Sequence, residues 1–336
     1  MDPVSQGALG ATLASAGVSA RRVASIALLG GVSGMAPDLD FLVRSSTDPL
    51  LFLEYHRQFT HALLFIPAGA GLCTLLLYGF VRRHLTWRVA YLACLLGYAT
   101  HGVLDACTSY GTQLFWPFSD VRVSWNVVSV VDPLFTVPLL ALLAAAVWME
   151  RVAYARMGAA WAIAYLLVGA VQHDRAVAAG HALAAARGHT PVRLEAKPSF
   201  ANLLVWKVIY EYQHRYYVDA ARLGRQVSYC PGTSVAALNI AASFPWLDAH
   251  SQQAVDVERF RWFSNDYLAL DPADATHIVD VRYSTLPNEI SALWGVAVDA
   301  GAPLSAHVRF VSDSTRRVEH TPKLVAMILG RACEPL

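Results

Sequence analysis

The sequence is short of charge. Asp, Glu, Lys and Arg make up 15% of its 336 residues, where a soluble domain carries about 25%. Hydrophobic residues reach 55%. The deficit is uneven: long apolar runs are concentrated in residues 1–172, and residues 173–336 have an ordinary globular pattern. An excess of either sign is also lacking. The formal charge is +1, so no overall field points to nucleic acid. Cysteine is scarce, and none of the five forms a CxxC pair, which argues against a thiolate zinc site. Cys73, Cys94 and Cys107 sit in or just beyond apolar runs and read as packing residues. Cys230 and Cys333 lie in the polar half and are able to pair. No basic stretch precedes the first apolar run, so a cleavable leader is not expected. Repeats and low-complexity tracts are absent as well.

What the chain does have is membrane-length hydrophobicity. Four spanning helices are read over Val23–Pro37, Ala62–Val81, Val89–Ala106 and Val127–Met149, with a shorter one at Met157–Gln172. A span needs about 20 residues, fewer where neighbours bury its ends. "VSQGALGATLASAG" (Val4–Gly17) is uncharged and rich in small residues, which suits close helix packing. The expected fold is a mainly α membrane bundle of about six helices over residues 1–175, then a soluble α+β domain over 176–336. In the second region Leu203–Gln213 and Arg215–Arg222 predict a β-hairpin, and "HSQQAVDVERFRWFSN" predicts an amphipathic helix. "THIVDVRYS", "LWGVAVD" and "SAHVRFVSD" predict further strands, and "HDRAVAAGHALAAARGHTP" a helix leading out of the membrane.

Arginines set the expected orientation. Arg21–Arg22, Arg82–Arg88 and Glu150–Arg156 fall in alternate short loops, which the positive-inside tendency assigns to the cytoplasm. The N-terminus, the other two connections and everything after His173 are then periplasmic.

That orientation gathers the ionisable residues of the apolar half on one face. Asp38 and Asp40 end the second helix in "MAPDLD"; His56 and His61 precede the third in "YHRQFTH". His101 and Asp105 close the fourth, four residues apart and so on one helix face. Asp132 opens the fifth, and Asp2 precedes the first. Each has a plainer reading alone: a local hydrogen bond for His101 and Asp105, an N-cap for Asp132, a turn for "PDLD". Together, imidazoles and carboxylates without thiolate suit zinc, or less specifically manganese or iron. Their number suggests more than one ion. Arg57 and Arg122 are either phosphate clamps or side chains reaching to lipid headgroups. Trp116, Phe118 and Trp125 suit an interfacial belt.

At these residues the sequence resembles the predicted membrane-bound metal-dependent hydrolases, also described as LexA-binding inner-membrane hydrolases. The resemblance rests on "MDPVSQGALGA", "PDLD", "HRQFTHALL", "HGVLDACTSYGTQLFWPFSDVRVSW" and "VVDPLFTVPL", and extends into "ANLLVWKVI", "YYVD" and "DVRYS". It thus covers nearly the whole chain. That family is itself similar to the zinc-dependent phospholipase C and single-strand nuclease group, which uses an early His, an Asp, a His and an HxxxD pair. The resemblance implies that Asp38 or Asp40, His61, His101 and Asp105 ligate metal. At the early position this chain carries Gln6 in place of histidine, with Asp2 or His56 as possible substitutes.

The expected activity is a zinc-dependent hydrolase of the inner membrane. It would cleave phosphoester bonds of a membrane lipid or lipid-linked substrate by metal-activated water, with Asp38, Asp40 and Arg57 in catalytic roles and His56 as a further ligand. The alternative is a non-enzymatic membrane protein with a structural ion and a partner-binding C-terminal domain. A transporter ranks below both, because the inner membrane half is nearly bare of polar residues.

Overall fold

A computed structural model describes residues 1–18, 22–312 and 317–334. Arg21 of the first arginine pair lies outside the described residues. The chain divides into two compact units. The first is Met1–Val43, Tyr55–Val171 and Phe200–Asn202; the second is Arg44–Glu54, Gln172–Ser199 and Leu203–Leu336.

The first unit is helical. Its elements are α1 (Pro3–Gly17), α2 (Val23–Met35) and a 3-10 segment over Ala36–Leu42. After the short α3 (Leu51–Tyr55), most of which belongs to the second unit, come 3-10 turns at Phe59–His61 and Leu63–Phe65. Then follow α4 (Ile66–Val81), α5 (Trp87–Ala106), α6 (Pro133–Trp148) and α7 (Val152–Ala186), the last contributing residues to both units. Small residues let α1, α2 and α5 approach closely. A Cβ on Gly97 of α5 would lie 2.2 Å from the Gly30 carbonyl oxygen of α2, so only glycine permits that spacing.

The sequence predicts six spans. Six helices stand near the predicted places, but among the described residues three are long and apolar enough to cross a membrane. These are Leu63–Val81 with 19 residues, Trp87–Ala106 with 20 and Val152–Ala186 with 35. α1 has 15 residues, α2 13 and α6 16. The shortening has local causes. α2 tightens into the 3-10 segment at Ala36–Pro37. Asp132 and Pro133 fix the start of α6, so Val127 and Val128 are not helical and instead donate their N–H groups to the Cys107 carbonyl. The last predicted span and the exit helix form one continuous α7, which also absorbs most of the third arginine-bearing loop.

The connections expected to share one side do meet within this unit. The Arg22 guanidinium contacts His84 Nδ1. Val23, Ala146 and Ala155 form one buried cluster with Ala16 and Val152 around them. The ends of α1, α4 and α6 and the starts of α2, α5 and α7 are therefore together.

The second unit contains two four-stranded antiparallel sheets. β1 (Arg193–Pro198), β2 (Val205–Tyr212), β3 (Arg215–Leu223) and β4 (Val227–Ala236) form the first in that order. The predicted hairpin is β2–β3. It turns at Gln213 and His214, with φ of 49° and 56°, the left-handed pair that matches strand twist in two-residue hairpins. After α8 (Ile240–Ser243) and α9 (Gln252–Phe263), the second sheet is β5 (Leu268–Asp271), β6 (Asp274–Asp280), β7 (Trp294–Ala297) and β8 (Arg309–Ser312). α10 (Arg317–Ile328) follows. Ile209, Tyr216 and Val218 of the first sheet pack with Tyr267, Ala269 and Val281 around the second in one buried cluster. Cys230 and Cys333 form a disulfide.

Candidate metal centre

Two of the four principal candidate ligands come from one helix. His101 and Asp105 lie one turn apart on α5, and both are fully buried. Gly102 between them lets another strand of backbone come close: a Cβ there would lie 2.2 Å from the His61 carbonyl oxygen. His61 sits on the 3-10 turn that precedes α4, and Asp38 on the 3-10 segment that ends α2.

Four atoms converge. His61 Nε2 and His101 Nε2 are 2.9 Å apart. Asp105 Oδ2 lies 3.2 Å from the first and 3.6 Å from the second. Asp38 Oδ1 lies 3.5 Å and 3.3 Å from them. A tetrahedral ion with bonds of roughly 2.05 Å separates its ligands by about 3.3 Å, a value these distances bracket.

The hydrogen bonds around the rings set their tautomers. His101 Nδ1 lies 2.6 Å from the Gly34 carbonyl oxygen, which only accepts, so Nδ1 carries the proton. His61 Nδ1 faces Asp40 Oδ2 at 3.2 Å and Thr60 Oγ1 at 3.0 Å, while the Thr60 hydroxyl donates to Asp40. Its proton is therefore also on Nδ1. Both Nε2 atoms then present lone pairs to each other and to two carboxylates, an arrangement a cation resolves. The donor set fits zinc. With no cation, burial opposes a charge on His61, but Asp105, Asp38 and Asp40 outweigh it and push its pKa up to about 10.

Asp40 is placed differently from a simple ligand. Its Oδ1 is 2.7 Å from His56 Nδ1. Its Oδ2 accepts from the Arg57 N–H at 3.0 Å and from Thr60 Oγ1 at 2.8 Å. Burial works against its ionised form, yet the bonds from His56 and His61 hold its carboxyl below the usual range. It thus orients both histidines. A second group, Asp38, Asp40 and His56, has one ligand atom from each residue within 4.8 Å of the others. Asp38 belongs to both groups.

Arg57 backs the cluster. Its Nε lies 3.0 Å from Asp105 Oδ2, its Nη1 donates to Thr108 Oγ1, and its guanidinium covers the Tyr110 ring at 4.7 Å. The backbone there is left-handed, with φ of 69°, a conformation costing a non-glycine residue roughly 1 kcal/mol or more. Gln113 N–H to the Arg57 carbonyl and Arg57 N–H to Asp40 hold it. Arg122 lies over the same Tyr110 ring and donates to the Tyr110 and Gly111 carbonyls.

Gln6 reaches the centre without ligating. Its Nε2 donates to Asp105 Oδ1 at 2.8 Å, and the Met1 amino group contacts the same oxygen. Asp2 and Asp132 are helix caps. Asp2 accepts from the Ser5 N–H at 3.0 Å; Asp132 accepts from Leu134 N–H at 3.1 Å and from the Tyr165 hydroxyl at 2.8 Å. Sequence reasoning misses Thr60, Thr108, Tyr110 and the Gly34 carbonyl. Thr60 and Thr108 adjoin predicted ligands, but nothing in the sequence shows which way they turn.

Over 127 residues the chain is 30% identical to a Bacillus subtilis (strain 168) protein described as uncharacterized protein YfhP, an alignment covering 37% of this chain and 36% of that one. The chain thus matches little more than a third of that relative's length. No solved structure matches it. The family described as YdjM inner membrane protein matches residues 1–176. That stretch holds every residue of the centre and more than half of the sequence, and the chain belongs to the YdjM inner membrane protein family.

Proposed function

We propose that the helical unit is a divalent-metal phosphoester hydrolase, working at the periplasmic face of the inner membrane on a lipid headgroup or lipid-linked phosphate. The observation that carries this reading is the convergence of His61 Nε2, His101 Nε2, Asp38 Oδ1 and Asp105 Oδ2 at 2.9–3.6 Å. A zinc ion held there supplies Lewis-acid activation of water and neutralises charge developing on a phosphoester. Asp38, whose side chain is 21% exposed while the other three ligands are sealed, is the carboxylate placed to orient an incoming water and take its proton. Asp40 fixes the ring planes of His56 and His61. Arg57 balances Asp105 and meets a phosphate oxygen. The second group, joined through Asp38, is the place for a further ion.

The orientation is supported by the arginine loops and by the Cys230–Cys333 disulfide, which suits an oxidising compartment. A reporter fused after Gly188 is expected to be active in the periplasm and silent in the cytoplasm.

A second reading has one observation in its favour. Four protein ligands close a tetrahedral shell, the habit of structural zinc sites. The ion would then hold the helices together and the C-terminal domain would bind a partner. The deciding experiment is metal analysis of the purified full chain, followed by turnover assays on a phospholipid and lipid-phosphate panel. Bound zinc with release of phosphate or diacylglycerol supports the hydrolase; bound zinc without turnover supports the structural ion.

A further inference from the structure

The second unit buries an amine in the middle of a strand. Lys207 lies mid-strand in β2, directly opposite Lys197 of β1, and the two are 4% and 3% exposed. Lys197 has a carboxylate partner, Glu195 at 3.1 Å. Among the described residues Lys207 has no ion pair within 4.0 Å. Its Nζ instead lies 2.6 Å from Ser284 Oγ and 2.8 Å from the Glu289 carbonyl oxygen. A buried ammonium ion without a counter-charge is costly and tends to give up its proton.

We propose that Ser284 is an acyl-accepting nucleophile and Lys207 its base, a second reactive site acting on an ester or thioester carbonyl. This site is independent of the metal centre and of the function assigned to it. Ser284 is partly exposed on the loop after β6, whereas Lys207 lies beneath it, buried. At rest the Ser284 hydroxyl donates to the Leu286 carbonyl at 2.5 Å. One torsional step turns it onto Nζ. Ser284 Oγ then bonds to the substrate carbonyl carbon while its proton passes to Nζ. Collapse breaks the bond to the leaving group, which takes that proton. Water, deprotonated in turn by Lys207, cleaves the acyl-serine and releases the carboxylate.

Burial favours a neutral base in spite of the nearby carboxylates. Burial lowers the Lys207 pKa most; Asp280 pulls it up, Lys197 pushes it down and Glu289 pulls it up, leaving it at about 7. Asp280 is itself occupied by Arg282, at 2.6 Å, and Glu289 faces His320 at 4.0 Å. Tyr283 lies against the Lys197 ammonium. A lysine in this state holds a lone pair for proton transfer at neutral pH.

The test uses the full chain in detergent, a fluorophosphonate probe and peptide mapping by mass spectrometry. A covalent adduct on Ser284 is expected, formed faster as pH rises through about 7 and at least ~100-fold slower in Lys207→Met. No adduct on Ser284 in the native protein overturns the proposal, as does unchanged labelling in a folded Lys207→Met. Should that variant unfold, competitive acetylation of the native protein replaces it. Lys207 reacting with acetic anhydride at neutral pH supports the base; a Lys207 inert until strongly alkaline pH overturns it.

Discussion

His61 and His101 face each other Nε2 to Nε2 at 2.9 Å, with both Nδ1 protons committed elsewhere, to Asp40 and Thr60 in one case and to the Gly34 carbonyl in the other. Two lone pairs so placed repel unless something positive lies between them. Replacing either histidine with alanine is therefore expected to abolish stoichiometric zinc. Metal analysis of detergent-purified His61→Ala and His101→Ala checks this; retention of one zinc per chain in both variants overturns the assignment.

Asp40→Asn separates orienting from ligating. The amide can still meet His56 or His61 but no longer holds both rings by charge. Outer carboxylates of this kind are typically worth 10–100-fold in metal affinity. Competition titration with a chromophoric chelator is expected to show a loss in that range. A loss as complete as that of His101→Ala would make Asp40 a direct ligand.

Part of this centre is legible in the sequence. The spacing of His101 and Asp105 puts both on one face of any helix, and the arginine loops predict one shared side for "PDLD" and "HRQFTH", whose Asp38 and His61 do come together. The division of labour between Asp38 and Asp40 is not legible. Both stand at the end of α2, and only the approach of His56, Arg57 and Thr60 turns one toward the histidines' far sides. Fold reading fails for similar reasons. β4 carries Pro231 and Gly232, which signal a turn, yet Gly232 sits where a Cβ would lie 1.9 Å from the Val218 carbonyl oxygen beside a bulge. β1 is mostly polar and becomes a strand because β2 pairs with it. The stretch before Pro133 is apolar enough for a helix, but the Asp132 cap and the bonds to Cys107 settle it otherwise.

Gly102→Ala tests the close approach of α5 and the His61 turn. The added methyl meets the His61 carbonyl oxygen, a backbone atom that moves only with the ligand itself. Destabilisation of about 1–3 kcal/mol is expected, together with weaker zinc binding. Thermal midpoints with and without added zinc measure both. An unchanged midpoint and affinity would mean that the turn can shift freely.

Reducing the Cys230–Cys333 bond, or changing both to alanine, is expected to lower the stability of the second unit by about 2–4 kcal/mol. The bridge closes a loop across 103 residues of sequence. Limited proteolysis of reduced and oxidised protein reads the difference; equal resistance would exclude a stabilising role.

Lys207 gives a pH signature of its own. Its folded value is about 7 against an ordinary 10.5. Between those values the unfolded chain binds more protons than the folded one, so stability rises with pH across that window, by up to about 1.4 kcal/mol per unit. Denaturation midpoints from neutral to alkaline pH are expected to climb in the native protein and to flatten in Lys207→Met. Parallel profiles would place the proton on Lys207 throughout.

The ligands are spread along the chain in an order that matters for biogenesis. Asp38 leaves the ribosome first, His61 next, and His101 and Asp105 last, from three successive elements. On the proposed reading, the four-atom site is complete only once α5 has packed beside α2. Ion capture would then mark the moment when assembly of this half is finished, and by mass action would discourage the helices from parting again.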